Sequence, residues 1–314
     1  MKVLGIDIGG TRIKAGVVDA AGQIVARATA ETPTRMAEFR LTINRLVAEL
    51  VAREGEPEGV GIGCKGIINP RTTKVEVLPG TFRFLVGTQL SALLEADWAR
   101  HVPVVADNDA RVAMAGEMVW GAAHGLANAL LLTLGTGIGG AVVAEGRLLR
   151  GASGAAGHIG HLTIEADGAP CLCGNRGCLE TVFSARAIEA EAMKAIHLGC
   201  ETTLADPERG AMPDCRAVFE AAAAGDGVAS LICDVAVEKL AAALAGLLHV
   251  LDPEVVIVGG EVSAAGEALF APLRRAVAWR TGRLIKHPVP LVPPQVADRS
   301  GIVGAAALLM TLSK

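Results

Sequence analysis

Residues 3–31 read VLGIDIGGTRIKAGVVDAAGQIVARATAE. Val3–Ile8 is a short apolar run that gives way to glycines, the pattern of a buried strand carrying Asp7 near its carboxyl end. Two further strands are predicted around the turn Asp19–Gly22, where apolar residues run on both sides of a small polar break. Residues 129–149, ALLLTLGTGIGGAVVAEGRLL, restart this plot: a strand, a glycine-rich turn, a strand, a turn and another strand. GGAVVAEGRLL echoes AGVVDAAGQIV of the first half. Recurrence of a supersecondary unit after about 125 residues points to two duplicated α/β halves, each a sheet with helices. A chance likeness of glycine-flanked strands is the alternative.

Working outward, Met36, Phe39, Ile43, Leu46, Val47 and Leu50 recur at three- and four-residue spacings and predict an amphipathic helix. GVGIGCKG (59–66) reads as a strand and LSALLEADWAR (90–100) as a helix. VPVVAD (102–107) is a strand whose end delivers NDA (108–110) into another helix. Helices are expected near 185–198, 214–224 and 228–250. The strand EVVIVGG (254–260) then precedes a helix, and the tail GIVGAAALLMTL (301–312) is helical.

The bulk composition narrows the function. With 314 residues the chain fits two domains, and 51% hydrophobic against 20% charged residues supplies large cores. A net charge of −4 without a Lys/Arg cluster argues against a nucleic-acid surface. The N-terminus has no long apolar segment of the secretory type. AAALAGLLHVL (241–251) is too short to span a bilayer and reads as a buried helix, so no membrane partner is expected. Seven cysteines without an export signal imply reduced thiols and a cytoplasmic setting.

Two glycine-rich turns follow strands: Asp7–Thr11 (DIGGT) and Gly135–Gly140 (GTGIGG). Phosphates need close approach to backbone N–H groups, which a Cβ obstructs. Thr11 and Thr136 could add hydroxyl donors, and Asp7 could hold Mg2+. Tight hairpins use glycine too, and neither turn is a Walker loop. A third turn, Gly259–Glu261, also follows a strand. Three such turns favour a nucleotide bound between the halves.

The motifs DIGGT, NDA, GTGIGG, AGHIGH (156–161), CLCGNRGCLE (171–180) and VVIVGGEV (255–262) occur in an order that resembles the ROK family of repressors and sugar kinases. The likeness runs from residue 5 into the closing helix. It implies a duplicated actin-like (ribonuclease H-like) ATPase fold, with two domains and an interdomain cleft. The expected division is 1–118, completed by helix 301–314, and 119–300 with a zinc-binding loop. Since Asp7 comes so early, the winged-helix segment of the family's repressors is not expected, and the kinase branch is.

The resemblance also implies roles. Asp109 matches the catalytic base that takes the proton of a sugar 6-hydroxyl; taken alone, it could equally be a helix N-cap. Asn108, Gly66 and Glu180 match sugar-binding positions, and His158 and His161 are expected to face the sugar as well. For the nucleotide, Asp7, Gly9, Gly10, Thr11, Gly135, Thr136, Gly137, Gly259 and Gly260 are the candidates. Glu117 reads as an ordinary charge on a helix face. Most family kinases carry Glu where this chain has His158. Imidazole donates and accepts where a carboxylate only accepts, so selectivity should differ. At this position, and at GCKGIINP (63–70), the chain resembles N-acetylmannosamine kinases more than many glucokinases.

His161, Cys171, Cys173 and Cys178 form an H-x9-C-x-C-x4-C array. Three thiolates and one imidazole suit tetrahedral Zn2+, and four protein ligands close the site, which makes it structural. A redox device would favour C-x-x-C over this C-x-C. The resemblance implies the same four ligands. Cys64, Cys200, Cys215 and Cys233 read as small core or surface residues. The expectation is an ATP- and Mg2+-dependent kinase for the 6-hydroxyl of a hexose or N-acyl-hexosamine, glucose or N-acetylmannosamine foremost, as a homodimer or homotetramer. A sugar-sensing regulator without catalysis is the alternative.

Overall fold

The computed structural model describes residues 1–78, 82–205, 212–296 and 300–311. The strands are β1 (Val3–Ile8), β2 (Arg12–Val18), β3 (Ile24–Glu31), β4 (Val60–Cys64), β5 (Ile67–Ile68), β6 (Val75–Val77), β7 (Val104–Asn108), β8 (Ala129–Leu134), β9 (Ile138–Ala144), β10 (Arg147–Leu148), β11 (Val255–Gly259) and β12 (Leu291–Val292). The α-helices are α1 (Met36–Glu54), α2 (Asp109–Trp120), α3 (Glu180–Phe183), α4 (Ala185–His197), α5 (Cys215–Ala223), α6 (Gly227–Leu251), α7 (Glu267–Thr281) and α8 (Ser300–Thr311). Residues 312–314 of the expected closing helix lie outside the described residues.

The two major sheets have orders β3-β2-β1-β4-β7 and β10-β9-β8-β11-β12. Each has its hairpin-linked strands on one side and its later strands on the other, the topology of a duplicated unit. In the first, β1–β2 and β2–β3 are antiparallel while β1–β4 and β4–β7 are parallel. The echo between AGVVDAAGQIV and GGAVVAEGRLL thus corresponds to matching outer hairpins. By contact density the chain divides into Met1–Ala129 with Ala141–Gly157 and Pro294–Lys314, and Leu130–Gly140 with His158–Pro293.

Within the first unit, strand alternation sorts the side chains of β1. Leu4, Ile6 and Ile8 join one core cluster with Phe39, Ile43, Leu46, Val47 and Leu50 of α1, the stripe its periodicity predicts. Val3 joins Ile302, Val303 and Ala306 of α8. Gly5 and Asp7 share Val3's face. A Cβ on Gly5 would come 2.1 Å from the Ile302 carbonyl oxygen, and one on Gly61 of β4 1.7 Å from that of Ala305. Glycine is what lets α8 lie against both strands.

In the second unit, β11 is buried along its whole length. The 25-residue α6 packs against α4, α5 and α7. Asp226 caps α6 by accepting from the Ala229 N–H, and Asp214 caps α5 through Ala217. Among the described residues no helix is long and apolar enough to cross a membrane.

One expected helix is absent. Residues 90–100 form two single 3-10 turns, Leu90–Leu93 and Asp97–Arg100. Asn44 of α1 donates to the Leu93 carbonyl at 2.8 Å and accepts from the Glu95 N–H at 2.9 Å. Its amide takes the backbone partners that a continuous helix would need, while Leu90, Leu93 and Ala99 stay buried.

Candidate active site

Three neighbouring parallel strands bring their carboxyl ends together in the first unit. Register pairs Ile8 with Cys64, and Cys64 with Asn108. Asp7, Cys64, Asn108 and Asp109 therefore cluster at one sheet edge, where ligand crevices of parallel sheets form.

Asn108, not Asp109, caps α2. Its Oδ1 accepts from the Ala110 N–H at 3.0 Å, and its Nδ2 donates to the Gly66 carbonyl at 2.9 Å. One N–H of that amide remains for a ligand. Gly66 is buried at φ 96°, where a Cβ would meet the Val77 carbonyl oxygen. Asp109 is the first helical residue and stands exposed; its Oδ1 shares the Ala110 N–H with Asn108, accepting at 2.9 Å.

Asp7 is largely enclosed. Burial raises its carboxyl to about 6; Lys14 opposes that shift and Asp109 adds to it. Its Oδ2 lies against Gly301 in the first turn of α8, 2.3 Å from where a Cβ would stand. Burial likewise pushes the Cys64 thiol up to about 12, with Asp109 and Asp7 adding to the effect. Cys64 is thus a neutral filler between two acids.

Gly9, Gly10 and Thr11 form the β1–β2 turn, closed by the Gly9 N–H donating to the Arg12 carbonyl at 3.1 Å. Gly10 and Thr11 are exposed, and a Cβ on Gly10 would find only Phe82, at 3.8 Å. The chain itself leaves open the space that this glycine vacates.

In the second unit, Gly135 has nothing within 4 Å of a Cβ position and Thr136 is exposed. Gly137 lies against Glu180. A Cβ there would lie 2.4 Å from Glu180 Oε2, which accepts from the Ile138 N–H at 2.8 Å. The glycine turn and Glu180, widely separated in sequence, form one contact. Gly259 ends β11, and Gly260, at φ 89°, passes so close to Leu134 that a Cβ would fall 2.3 Å from its carbonyl oxygen.

His161, Cys171, Cys173 and Cys178 converge, all four ligand atoms within 4.8 Å of one another. Cys171 Sγ is 3.6 Å from His161 Nδ1, and Cys173 Sγ is 3.6 Å from Cys178 Sγ. Ligands about 2.3 Å from a tetrahedral Zn2+ stand about 3.8 Å apart, so the cluster fits that ion. Burial, then its sulfur neighbours, raise the Cys178 thiol to about 12; the Asn175 backbone N–H lowers that of Cys173. A cation would relieve this crowding. The His158 and His161 rings stack with centroids 6.3 Å apart.

Four residues of this region escape a linear reading. Glu117 is no surface charge: at 1% exposure it accepts from the backbone N–H groups of Ala122, Gln295 and Val296. Asp107, Arg111 and Arg150 form a buried ionic group at the end of β7. The four-residue spacing of Asp107 and Arg111 was a visible signal, although it ordinarily marks an exposed helical pair.

The ROK family profile matches residues 3–311. A glucokinase of Thermotoga maritima is 36% identical over 316 residues, covering 98% of this chain and 97% of that one. An N-acetylmannosamine kinase of Shigella boydii is 33% identical over 310 residues, with 98% of each chain covered. The crystal structure of a ROK family glucokinase from Streptomyces griseus, in complex with glucose and AMPPNP, aligns with a TM-score of 0.79 at 32% identity. That alignment covers 98% of this chain and 99% of the other.

Proposed function

The chain belongs to the ROK family and has its two-domain, actin-like ATPase fold; on that footing we propose that it is an ATP-dependent kinase of the 6-hydroxyl of a hexose or N-acyl-hexosamine. The observation that carries the reading is Asp109, an exposed carboxylate at the head of α2 whose Oδ1 shares the Ala110 N–H with Asn108 and whose Oδ2 is left for a substrate proton. Asp109 takes the hydroxyl proton while the sugar oxygen bonds to the γ-phosphorus and the bridging bond to ADP breaks. Asn108 offers its remaining N–H to a sugar hydroxyl. Glu180, with Oε2 engaged by Ile138, offers Oε1 as an acceptor, and His158 contributes an imidazole to the sugar-binding set.

Asp7 is the residue to hold Mg2+, which supplies charge neutralisation of the triphosphate when bound. Gly10, Thr11 and Thr136 provide exposed backbone for phosphate oxygens, in turns that the half-buried Gly9 and Gly135 close with their own N–H groups. The His161–Cys171–Cys173–Cys178 cluster holds Zn2+ in a closed, structural role, fixing the loop between His158 and Glu180.

Glucose and N-acetylmannosamine are the foremost acceptors, being the substrates in the names of the relatives. His158 favours the N-acyl sugar, because an imidazole N–H can donate to an acyl oxygen. Coupled ADP release over glucose, mannose, allose, N-acetylglucosamine and N-acetylmannosamine tests this. Turnover should appear with one or two of them, and Asp109→Asn should lower kcat about 10²–10⁴-fold. Undiminished turnover in that variant sinks the base assignment. Sugar binding without any ADP release points instead to a sensor.

A further inference from the structure

Arg111 is fully buried, on the first turn of the helix that Asp109 opens. Its Nε donates to Asp107 Oδ1, and its two terminal nitrogens donate to the carbonyls of Ala156, at 2.7 Å, and Gly154, at 2.9 Å. Asp107 Oδ1 also accepts from the Asn108 N–H at 2.8 Å, and Oδ2 from Arg150 Nε at 2.8 Å. One buried carboxylate thus faces the buried Arg111 and the partly buried Arg150, an expensive arrangement that apolar packing could replace for stability alone.

The far end of this fork is the segment Gly151–Gly157, GASGAAG, which leads directly into His158. Gly151, Gly154 and Gly157 all have positive φ, and no side chain in the segment is larger than Ser. Such a segment has almost no side-chain packing with which to fix itself. Its holds include the Ala156 N–H, which donates to the Arg150 carbonyl at 3.2 Å, the approach of Gly154 to the Ile68 backbone, and the two carbonyls that Arg111 grips. We infer that Arg111 is a positioning residue, which references the backbone leading into His158 to the same Asp107 carboxylate that orients the peptide before Asp109. The planar fork is what the task requires, since an ammonium group cannot span Asp107 and two separate carbonyls.

Arg111→Lys keeps the charge and loses the fork. Amide hydrogen exchange over residues 151–158 should quicken about tenfold in this variant, with exchange in β1 and α1 unchanged. Arg150→Gln, which spares the fork, should leave the segment's exchange within about twofold of the native protein. The kinetic consequence rests on the kinase reading: KM for the sugar should rise about tenfold in Arg111→Lys while KM for ATP holds. Unchanged exchange at 151–158, or a rise spread evenly over the chain, overturns the inference. So does failure of both Arg111→Lys and Arg111→Gln to fold, which would make the residue a determinant of the fold. A native protein that phosphorylates no sugar defeats the kinase reading alone, since the exchange measurement still decides the role of Arg111.

Discussion

Asp7 sits at a cost to the ligand-free protein. Its carboxyl, ordinarily near 3.8, is raised to about 6 by burial, so the folded state favours the protonated form. Such a group lends its full stability below the unfolded value and loses it as pH rises through the folded one. At pH 7 the ionised Asp7 therefore costs up to about 3 kcal/mol. Asp7→Asn should raise the melting temperature of the ligand-free protein at pH 7, and the gain should vanish as pH falls from about 6 to about 4. A gain that persists at the lower pH means burial is not the cause. Glu117 is a buried acceptor wrapped by three backbone N–H groups. In Glu117→Gln the amide nitrogen would face donors it cannot accept from, and urea titration should show a loss of about 2–4 kcal/mol. Sequence reading puts this residue on the surface because two of its three partners lie far along the chain, in a segment with no motif. The exposed position of Asp109 at the head of α2 was legible for the converse reason, since a carboxylate following a strand and an Asn is a local pattern.

The elements were readable where one neighbour decides them. The spacing of α1 needs only a sheet to lie on, and β1–β3 need only each other. Residues 90–100 fail because the deciding partner is a single side chain on another helix, Asn44, which competes for backbone groups. Glycine contacts form a third class, visible as letters but not as contacts. α8 lies on β1 and β4 only because Gly5 and Gly61 leave room, and it meets α2 where a Cβ on Gly304 would come 2.1 Å from the Val112 carbonyl oxygen. Backbone on this face cannot give way as a side-chain tip could. Gly61→Ala should therefore lower stability by about 1–3 kcal/mol or more, read as a reduced urea midpoint with an unchanged slope. The same change would draw Gly301 away from Asp7, so the acid should titrate closer to its ordinary value. If Gly61→Ala is neutral, α8 is not held as closely as these contacts describe.

At the scale of the molecule, a repeated strand order explains why so short an echo as AGVVDAAGQIV and GGAVVAEGRLL was informative: each copy is the outer hairpin of a five-stranded sheet, and the remaining three strands follow in the same relative order. Topology was written in the turns, but the ionic group of Asp107, Arg111 and Arg150 was not, since its carbonyl partners have no side-chain signature. The metal cluster lies between these extremes. Its four ligands lie within eighteen consecutive residues, 161–178, and most of the intervening loop is exposed, with Leu172 at 84%. Such a loop has little apolar surface to bury, so its order must come from another source, and a bound ion is the source its chemistry offers. Purified protein should carry one equivalent of zinc per chain. Stripping it with a chelator should lower the melting temperature and speed amide exchange across residues 162–179, and added Zn2+ should reverse both effects. Cys178→Ser, at the buried ligand, should reproduce the stripped state and resist rescue. Exchange in β1, β4 and α8 should stay as it was, because their packing rests on glycine contacts that involve no metal. Full protection of 162–179 in metal-free protein would mean that the thiols order the loop by themselves.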